Sequence, residues 1–245
     1  MTMPSSHSIR DVMSHYGRRA ATAVAILLVG GAVLHFTPSQ AGEARDLPKP
    51  IVDEAPGSGT ETIALAGGCF WGVQGVFQHV DGVVSAVSGY AGGARNTAEY
   101  ETVSTGTTGH AETVKVVFDP HKVSLGHLLQ IYFSVAHDPT ELNRQGPDSG
   151  TQYRSAIFTK SAEQQRIAQA YINQLDAARS FDKPIATQLE TFNGFYPAEE
   201  EHQDFLTEHP TYPYIVINDL PKVAQLKQLY PDRYQDQPVL VKADR

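Results

Sequence analysis

Residues 64–77, ALAGGCFWGVQGVF, contain both the single cysteine of the chain, Cys69, and its single tryptophan, Trp71. The apolar run 62–66 predicts a short strand, and the apolar spacing over 70–80 predicts a helix despite its two glycines. A strand that ends at the glycine pair, followed at once by a helix, would place the cysteine at the first turn of that helix. The stretch therefore predicts a lone thiol held between a tight glycine turn and two aromatic side chains.

Cys69 can be interpreted in two ways. A free cysteine is commonly a small, buried, apolar side chain. At a helix N-terminus, however, the free backbone N–H groups and the partial positive charge of the helix stabilise a thiolate, which is the nucleophilic form. Gly67 and Gly68 tolerate torsions and close approaches that other residues resist. The local context therefore favours a reactive thiol open to a substrate.

Phe70 and Trp71 follow the cysteine directly. Adjacent aromatic residues often pack in a core, but neighbours on a helix point about 100° apart, so both are not expected on one buried face. We expect one or both to flank the thiol. Sulfur–aromatic contacts are favourable, and an aromatic wall beside a thiol suggests an apolar substrate group.

Outward from this stretch, short strands alternate with amphipathic helices. Further strands are predicted at 83–90, 112–118, 153–158 and 185–192, and further helices at 124–136, 161–178, 197–206 and 220–230. Ser124 begins one helix, and Ser161 with Gln164 forms a capping box for another. The order strand, helix, strand, strand, helix, strand is the split βαβ pattern. It predicts an α+β fold, a two-layer sandwich with a split βαβ (ferredoxin-like) core and extra C-terminal helices.

Glu112 begins the strand predicted at 112–118. The two-residue period of a strand places it on the same face as Val114, Val116 and Phe118. A carboxyl group on an apolar face is either drawn to solvent at the strand end or half buried. Half burial would raise its pKa and keep it protonated near neutrality, where it can act as a general acid.

A polar segment, NRQGPDSGTQYR over 143–154, carries Asp148 and Tyr153, and Tyr100 lies in a similar polar stretch. Loops of this composition often position functional groups, but many are only connections. These three residues are therefore candidates only in combination with the thiol and the carboxyl.

The first 41 residues have the pattern of a secretory signal peptide. Arg18 and Arg19 precede the apolar run 20–36, and small residues follow as far as Ala41. A run of about 17 apolar residues is at the lower limit for a bilayer-spanning helix, so an uncleaved membrane anchor is the alternative. We expect export to the periplasm, or anchoring to the inner membrane by residues 20–36.

The composition of residues 42–245 limits the domain organisation and the classes of partner and site that the chain can have. Residues 42–60 are rich in Pro, Gly and charge and predict a linker or an arm, which leads to a catalytic domain at 61–245. The formal net charge is -8, with no basic stripe in the domain, which argues against nucleic acid as a partner. One cysteine excludes an intrachain disulfide, a cysteine-based zinc cluster and a CxxC redox pair.

Two other uses of these residues are weaker. A thiol hydrolase could pair Cys69 with His110 or His202, but neither histidine lies in a protease signature. A metal site could use EEEHQD at 199–204 or the pair His137-Asp138, but a solvated helix face and a loop explain these residues better. No metal and no cofactor is predicted.

Five short motifs, in one order, resemble peptide methionine sulfoxide reductase of the A type: GCFWG (68–72), GYAGG (89–93), GHAE (109–112), HDPT (137–140) and GTQYRSAIF (150–158). The resemblance covers roughly residues 61–235. It implies reduction of the S epimer of methionine sulfoxide, free or in proteins, through a cysteine sulfenic acid, and hence repair of oxidised proteins. By matching position, the resemblance implies that Cys69 is the nucleophile and Glu112 is the acid. It implies that Phe70 and Trp71 form the pocket for the sulfoxide methyl. It also implies that the hydroxyls of Tyr100 and Tyr153 hold the sulfoxide oxygen and that Asp148 is a supporting carboxylate.

This chain departs from many members of that family at its C-terminus. They carry one or two further cysteines there, which resolve the sulfenic acid as an internal disulfide, whereas residues 230–245 contain none. The expectation is a single-cysteine variant regenerated by an external thiol, either a thioredoxin-like protein or a small thiol. A redox-sensing binding module on the same fold is the non-enzymatic alternative; it would oxidise Cys69 without releasing methionine.

Overall fold

The strand before Cys69 lies near the middle of a six-stranded sheet. The computed structural model describes residues 44–55, 57 and 59–242. Its strands are β1 Glu61–Gly67, β2 Val83–Ala91, β3 Ala111–Phe118, β4 Arg144–Gln145, β5 Asp148–Ser149, β6 Ser155–Thr159, β7 Gln188–Thr191 and β8 Phe195–Pro197. The sheet order is β7-β6-β1-β3-β2-β8, and β4 and β5 form a separate two-stranded hairpin. Neighbouring strands are antiparallel except for the parallel pair β6 and β7.

Helices and strands are mixed along the chain, as expected for an α+β fold. They are α1 Phe70–Gln78, α2 Tyr100–Val103, α3 Leu125–Ile131, α4 Ala162–Ala177, α5 Phe205–Glu208 and α6 Leu220–Leu229. Helix α1 contacts β2 and α6, and α3 contacts α4. The predicted mixture of strands and helices is confirmed.

Strand β3 shows the predicted alternation from Val114 onwards, whereas Thr113, on the opposite face, is also buried. Glu112, Val114, Val116 and Phe118 are buried, whereas Lys115 and Val117 are partly exposed. Because β3 pairs with both β1 and β2, its apolar side chains contribute to the centre of the core. The strand therefore carries Glu112 into the interior of the protein.

The helix predicted at 124–136 begins as expected and then changes its winding. The Ser124 hydroxyl accepts a hydrogen bond from the His127 backbone N–H at 3.3 Å, so Ser124 caps α3. After Ile131 the chain continues as a π-helical turn, Tyr132–Ala136. A second π-helical turn, Ile215–Asp219, precedes α6. Turns of this kind occur frequently at functional sites, and the apolar spacing did not predict either one.

The prediction of one helix over 197–206 is wrong. A 3-10 turn at Glu200–His202 and the short α5 are separated by Gln203, which is extended, and Asp204, which has a φ of 59°. The Gln203 amide is buried and pairs with both the N–H and the C=O of Ser88 in β2. A buried amide must find partners, and this pairing bends the chain out of a continuous helix.

The segment predicted as a linker or an arm packs on the domain over residues 44–55. Leu47 is buried, and its carbonyl accepts a hydrogen bond from Gln130 at 2.7 Å. Asp53 and Glu54 accept hydrogen bonds from the first backbone N–H groups of α3, each at 2.8 Å. Carboxylates at a helix N-terminus stabilise the helix, so residues 44–55 form an arm, one of the two alternatives that the composition left open.

The predicted signal peptide, 1–41, lies outside the described residues. Within the described part of the chain, no helix has the length and apolar character needed to cross a membrane.

Candidate active site

Cys69 occupies the position immediately before α1 and is 9% exposed. The two preceding glycines are closely surrounded. A Cβ on Gly67 would lie 3.0 Å from the His137 ring, and one on Gly68 would lie 2.5 Å from Gln145. Gly68 also has a φ of 87°, a left-handed conformation that side chains disfavour. The glycine turn is therefore needed to bring the thiol to the start of the helix.

The His137 ring packs against this turn, which gives the HDPT motif at 137–140 a structural role. Its Nε2 lies 2.7 Å from the Ser155 hydroxyl and its Nδ1 lies 3.1 Å from the Tyr132 carbonyl. Burial lowers the pKa of His137 to about 3, so the ring is neutral at physiological pH. A neutral, fully hydrogen-bonded imidazole explains the motif without a metal.

Burial reverses the expected titration of Cys69. Its burial, together with the nearby Glu112 and Asp219, raises the pKa of the thiol well above its usual value, whereas the Trp71 backbone N–H acts in the opposite direction. The expectation of a thiolate stabilised by the helix N-terminus is therefore corrected. Loss of water and proximity to acids outweigh the helix dipole, so the resting group is a thiol.

Glu112 lies beside the nucleophile. The backbone N–H of Phe70 donates to Glu112 Oε2 at 3.0 Å, which joins the carboxyl to the first residue of α1. Glu112 is only 2% exposed, more deeply buried than either sequence alternative proposed. Its pKa is raised to about 8, chiefly by burial; the Phe70 N–H acts against this rise, and Asp148 and Asp219 add to it. The carboxyl is therefore protonated at neutral pH and available as a proton donor.

The two aromatic residues after the thiol differ in their surroundings. Phe70 is 1% exposed, with its ring centroid 5.9 Å from that of Tyr90 and 5.5 Å from that of His202. Trp71 is partly exposed and stacks on Phe205, with ring centroids 3.9 Å apart. Trp71 therefore remains available to contact a ligand, whereas Phe70 is buried in the core.

Tyr100 is the first residue of α2, and a carboxylate holds it in place. The Tyr100 backbone N–H donates to Glu199 Oε1 at 2.9 Å, and the Tyr90 hydroxyl donates to Glu199 Oε2 at 2.8 Å. The Tyr100 ring lies 4.2 Å from that of His202. Burial, then Glu112 and Cys69, raises the pKa of Tyr100, which stays a hydroxyl that can donate a hydrogen bond.

Tyr153 and Asp148 complete the predicted set. Tyr153 ends a 3-10 turn rather than beginning the strand predicted there. Burial raises its pKa, and Glu112, Asp148 and Cys69 raise it further, so these groups share one electrostatic environment. Asp148 lies in β5 and accepts a hydrogen bond from the Tyr214 hydroxyl. The fold thus gathers the predicted site residues from four separated parts of the chain.

Sequence reasoning missed a group of residues that precedes or begins α6. Tyr214 holds Asp148, and Lys222 forms a buried ion pair with Asp219 at 3.1 Å. A shallow crevice next to Cys69 is lined by Gln145, Gly146, Pro147, Tyr214, Asn218 and Lys222. The available signal was the Asp-Lys pair three residues apart at the predicted start of a helix, a spacing that allows contact.

The two histidines proposed for a thiol hydrolase do not serve Cys69 as a base in this arrangement. His110 Nδ1 accepts from the Gly93 backbone N–H at 3.2 Å, and its Nε2 lies 3.0 Å from the Ala94 carbonyl. His202 packs against the rings of Phe70 and Tyr100. Among the described residues, no histidine is hydrogen-bonded to the thiol.

Comparison with known proteins identifies relatives over nearly the whole described domain. The family model of peptide methionine sulfoxide reductase matches residues 61–234. Peptide methionine sulfoxide reductase MsrA 2 of Mesorhizobium japonicum is 65% identical, over 78% of this chain and 97% of its own length. Among solved structures, methionine sulfoxide reductase A of Corynebacterium diphtheriae is 36% identical with a TM-score of 0.54, covering 70% of this chain and 87% of its own. Mxr1 of Saccharomyces cerevisiae in reduced form is 33% identical with a TM-score of 0.58, covering 66% and 92%.

Proposed function

The chain belongs to the peptide methionine sulfoxide reductase family, an oxidoreductase family, and we propose that it reduces methionine sulfoxide with Cys69 as nucleophile and Glu112 as general acid. One observation carries this assignment. The thiol stands at the start of α1, and the N–H of the next residue holds a buried carboxyl whose pKa of about 8 keeps it protonated. A thiol beside a proton donor that is held by the next backbone N–H suits attack on a sulfoxide, which is a poor electrophile until its oxygen is protonated or strongly hydrogen-bonded.

The reaction begins with the sulfoxide oxygen facing Glu112. The carboxyl donates its proton to that oxygen, with the hydroxyls of Tyr100 and Tyr153 as further donors. The Cys69 thiol gives up its proton as its sulfur attacks the sulfoxide sulfur, and this proton replaces the one that Glu112 donated. The sulfur–oxygen bond of the substrate and the new sulfur–sulfur bond then break as the oxygen passes to Cys69 as sulfenic acid and methionine leaves. The cysteine sulfur is oxidised by two electrons and the substrate sulfur is reduced by two.

The same geometry supports a specific binding mode. Trp71 is the partly exposed aromatic side chain next to the thiol, and together with the buried Phe70 it would hold the methyl group on the sulfoxide sulfur. Asp148, held by Tyr214, would support the hydroxyl donors from the other side. A sulfur centre fixed by its methyl, its oxygen and its attack direction can be only one epimer, and the family resemblance assigns the S epimer.

Incubation of the 42–245 fragment with each epimer tests the assignment. With dithiothreitol as reductant, we expect turnover of L-methionine S-sulfoxide, free or in a peptide, and none of the R epimer. Methionine is quantified by chromatography. Equal rates on both epimers, or oxidation of Cys69 without methionine release, would favour a different enzyme or the redox-sensing module.

Regeneration must come from outside the chain, because a disulfide needs two sulfurs and this chain supplies one. We expect reduced enzyme mixed with substrate alone to release at most one methionine per chain and to gain the mass of one oxygen, with dimedone labelling Cys69. Turnover should then depend on thiol concentration. More than one methionine per chain without added thiol would contradict this prediction.

Four further expectations complete the proposal. A thioredoxin-like protein or a small thiol acts as the reductant, and residues 1–41 direct export, with anchoring through 20–36 as the alternative. The catalytic domain spans 61–245 with the arm 44–55 packed on it. The inner strands, in the order β6-β1-β3-β2 with antiparallel neighbours, support the split βαβ (ferredoxin-like) description of the core.

A further inference from the structure

A buried ion pair borders the nucleophile on the side of α6. Lys222 and Asp219 have side chains 7% and 0% exposed, and Lys222 Nζ lies 3.1 Å from Asp219 Oδ1. The other Asp219 oxygen has no hydrogen-bond partner. A Cβ on Gly72 would lie 2.1 Å from Asp219 Oδ1 and 2.9 Å from Lys222 Nζ, so the pair packs directly on the first turn of α1. Such pairs are costly to bury and contribute little to stability.

Lys222 also lines the crevice that contains Cys69, with Tyr214 and Asn218. Apart from Cys69, that crevice shares no residue with the set proposed to hold the sulfoxide. Its lining residue Tyr214 donates a hydrogen bond to Asp148, so the crevice adjoins that set, and it places a lysine beside Cys69.

The charges around Cys69 are otherwise acidic. Glu112 faces it from β3, Asp148 from β5 and Asp219 from the turn before α6, and all three carboxyls raise the pKa of the thiol. The site also contains the hydroxyl groups of Tyr100, Tyr153 and Tyr214. Glu112 is protonated at neutral pH, so Asp148 and Asp219 are the carboxylates that repel an incoming anion unless a cation offsets them.

The regeneration step requires an anion to enter. Thiolates, not thiols, attack oxidised sulfur. The first thiolate forms an S–S bond with Cys69 as the S–O bond breaks, and the hydroxide departs as water with the proton the thiol released. A second thiolate attacks that mixed disulfide, forms the external disulfide and returns Cys69, which takes up a proton. Two external thiols are oxidised, and the oxygen leaves as water.

We propose that Lys222, held against α1 by Asp219, is the positive charge that admits thiolate reductants to oxidised Cys69 through this crevice. The inference rests on the proposed function for the origin of the sulfenic acid. It assigns the crevice as the reductant site and assigns thiolates, preferably those bearing further negative charge, as the ligand class.

Three thiols of different charge test the proposal: 2-mercaptoethanesulfonate, 2-mercaptoethanol and cysteamine, with rates compared per thiolate. Cys69 sulfenic acid is prepared in two ways, with methionine sulfoxide and with stoichiometric hydrogen peroxide, and its loss is followed by quenched mass spectrometry. For Lys222→Gln we expect reduction by the sulfonate thiol to slow about tenfold, at the lower end of electrostatic steering effects. The preference for the sulfonate over cysteamine should fall, and single-turnover methionine release should change much less.

Two further variants make the test decisive. Lys227→Gln removes an exposed lysine of the same helix, paired with Asp236 at 2.8 Å, and should behave as wild type. Asp219→Asn/Lys222→Gln leaves no uncompensated buried charge, so it should fold and still lack the charge preference.

A wild-type preference in both Lys222 variants, or equal slowing of methionine release and regeneration, would overturn the proposal. Failure of the proposed function looks different. Peroxide would then oxidise Cys69 while methionine sulfoxide would not, and the thiol comparison could still be made on the peroxide-oxidised enzyme.

Discussion

Replacing Cys69 with serine is expected to lower methionine sulfoxide reductase activity by at least about 10⁴-fold, the scale of losing a catalytic nucleophile. No other sulfur nucleophile can substitute, because the chain contains a single cysteine. A serine hydroxyl has a far higher pKa and its oxygen cannot accept the substrate oxygen as a sulfenic acid does. Activity is measured as methionine released with dithiothreitol present.

The fold of this variant should persist, which separates chemistry from stability. Cys69 is the residue before α1, with a φ of -53° and a ψ of 124°. Serine is favoured at such positions because its oxygen can accept a backbone N–H of the first turn. Urea unfolding should therefore show a midpoint close to that of the wild type. Retained activity in a correctly folded Cys69→Ser protein would show that the chemistry lies elsewhere.

Replacing Glu112 with glutamine should slow the chemical step by about 10²–10⁴-fold, the usual contribution of a general acid. The amide still donates a hydrogen bond to the sulfoxide oxygen but cannot transfer a proton, so some activity should survive. The measurement is the rate of methionine release in a single turnover, which excludes the regeneration step. A wild-type rate across neutral pH would remove Glu112 from the mechanism.

The pH dependence supplies an independent signature of the same carboxyl. Its pKa is raised to about 8, so the wild-type rate should decline as pH rises through that value, and Glu112→Gln should lack this decline. The free energy of unfolding should also decrease as pH rises. A carboxyl whose folded pKa exceeds its unfolded pKa stabilises the fold fully below the unfolded value of about 4.3, and this stabilisation is lost as pH rises towards 8. Wild type should therefore lose stability relative to Glu112→Gln over that interval, as measured by urea unfolding at a series of pH values.

Much of the fold followed from local patterns. The alternation of β3, the cap at Ser124 and the position of Cys69 before α1 were all predictable, because they depend on residues close in sequence. The segment 197–206 was not, because its conformation is decided by a partner far away. Gln203 forms its hydrogen bonds with Ser88, 115 residues earlier. A helical sequence pattern gives no information about a hydrogen-bond partner so distant in the chain.

The site divides along the same line. The sequence by itself determined that one sulfur carries any thiol chemistry, that regeneration is external, and that Cys69, Glu112 and the aromatic pair belong to one family pattern. Only the tertiary structure determined whether the Cys69 thiol and the Glu112 carboxyl are protonated. Burial beside Glu112 and Asp219 makes Cys69 a resting thiol, against the expectation from its helix terminus, because desolvation and nearby acids outweigh a partial dipole charge. Tertiary packing also brought Lys222 to the thiol from more than 150 positions away, since Gly72 leaves space for a buried charge beside α1.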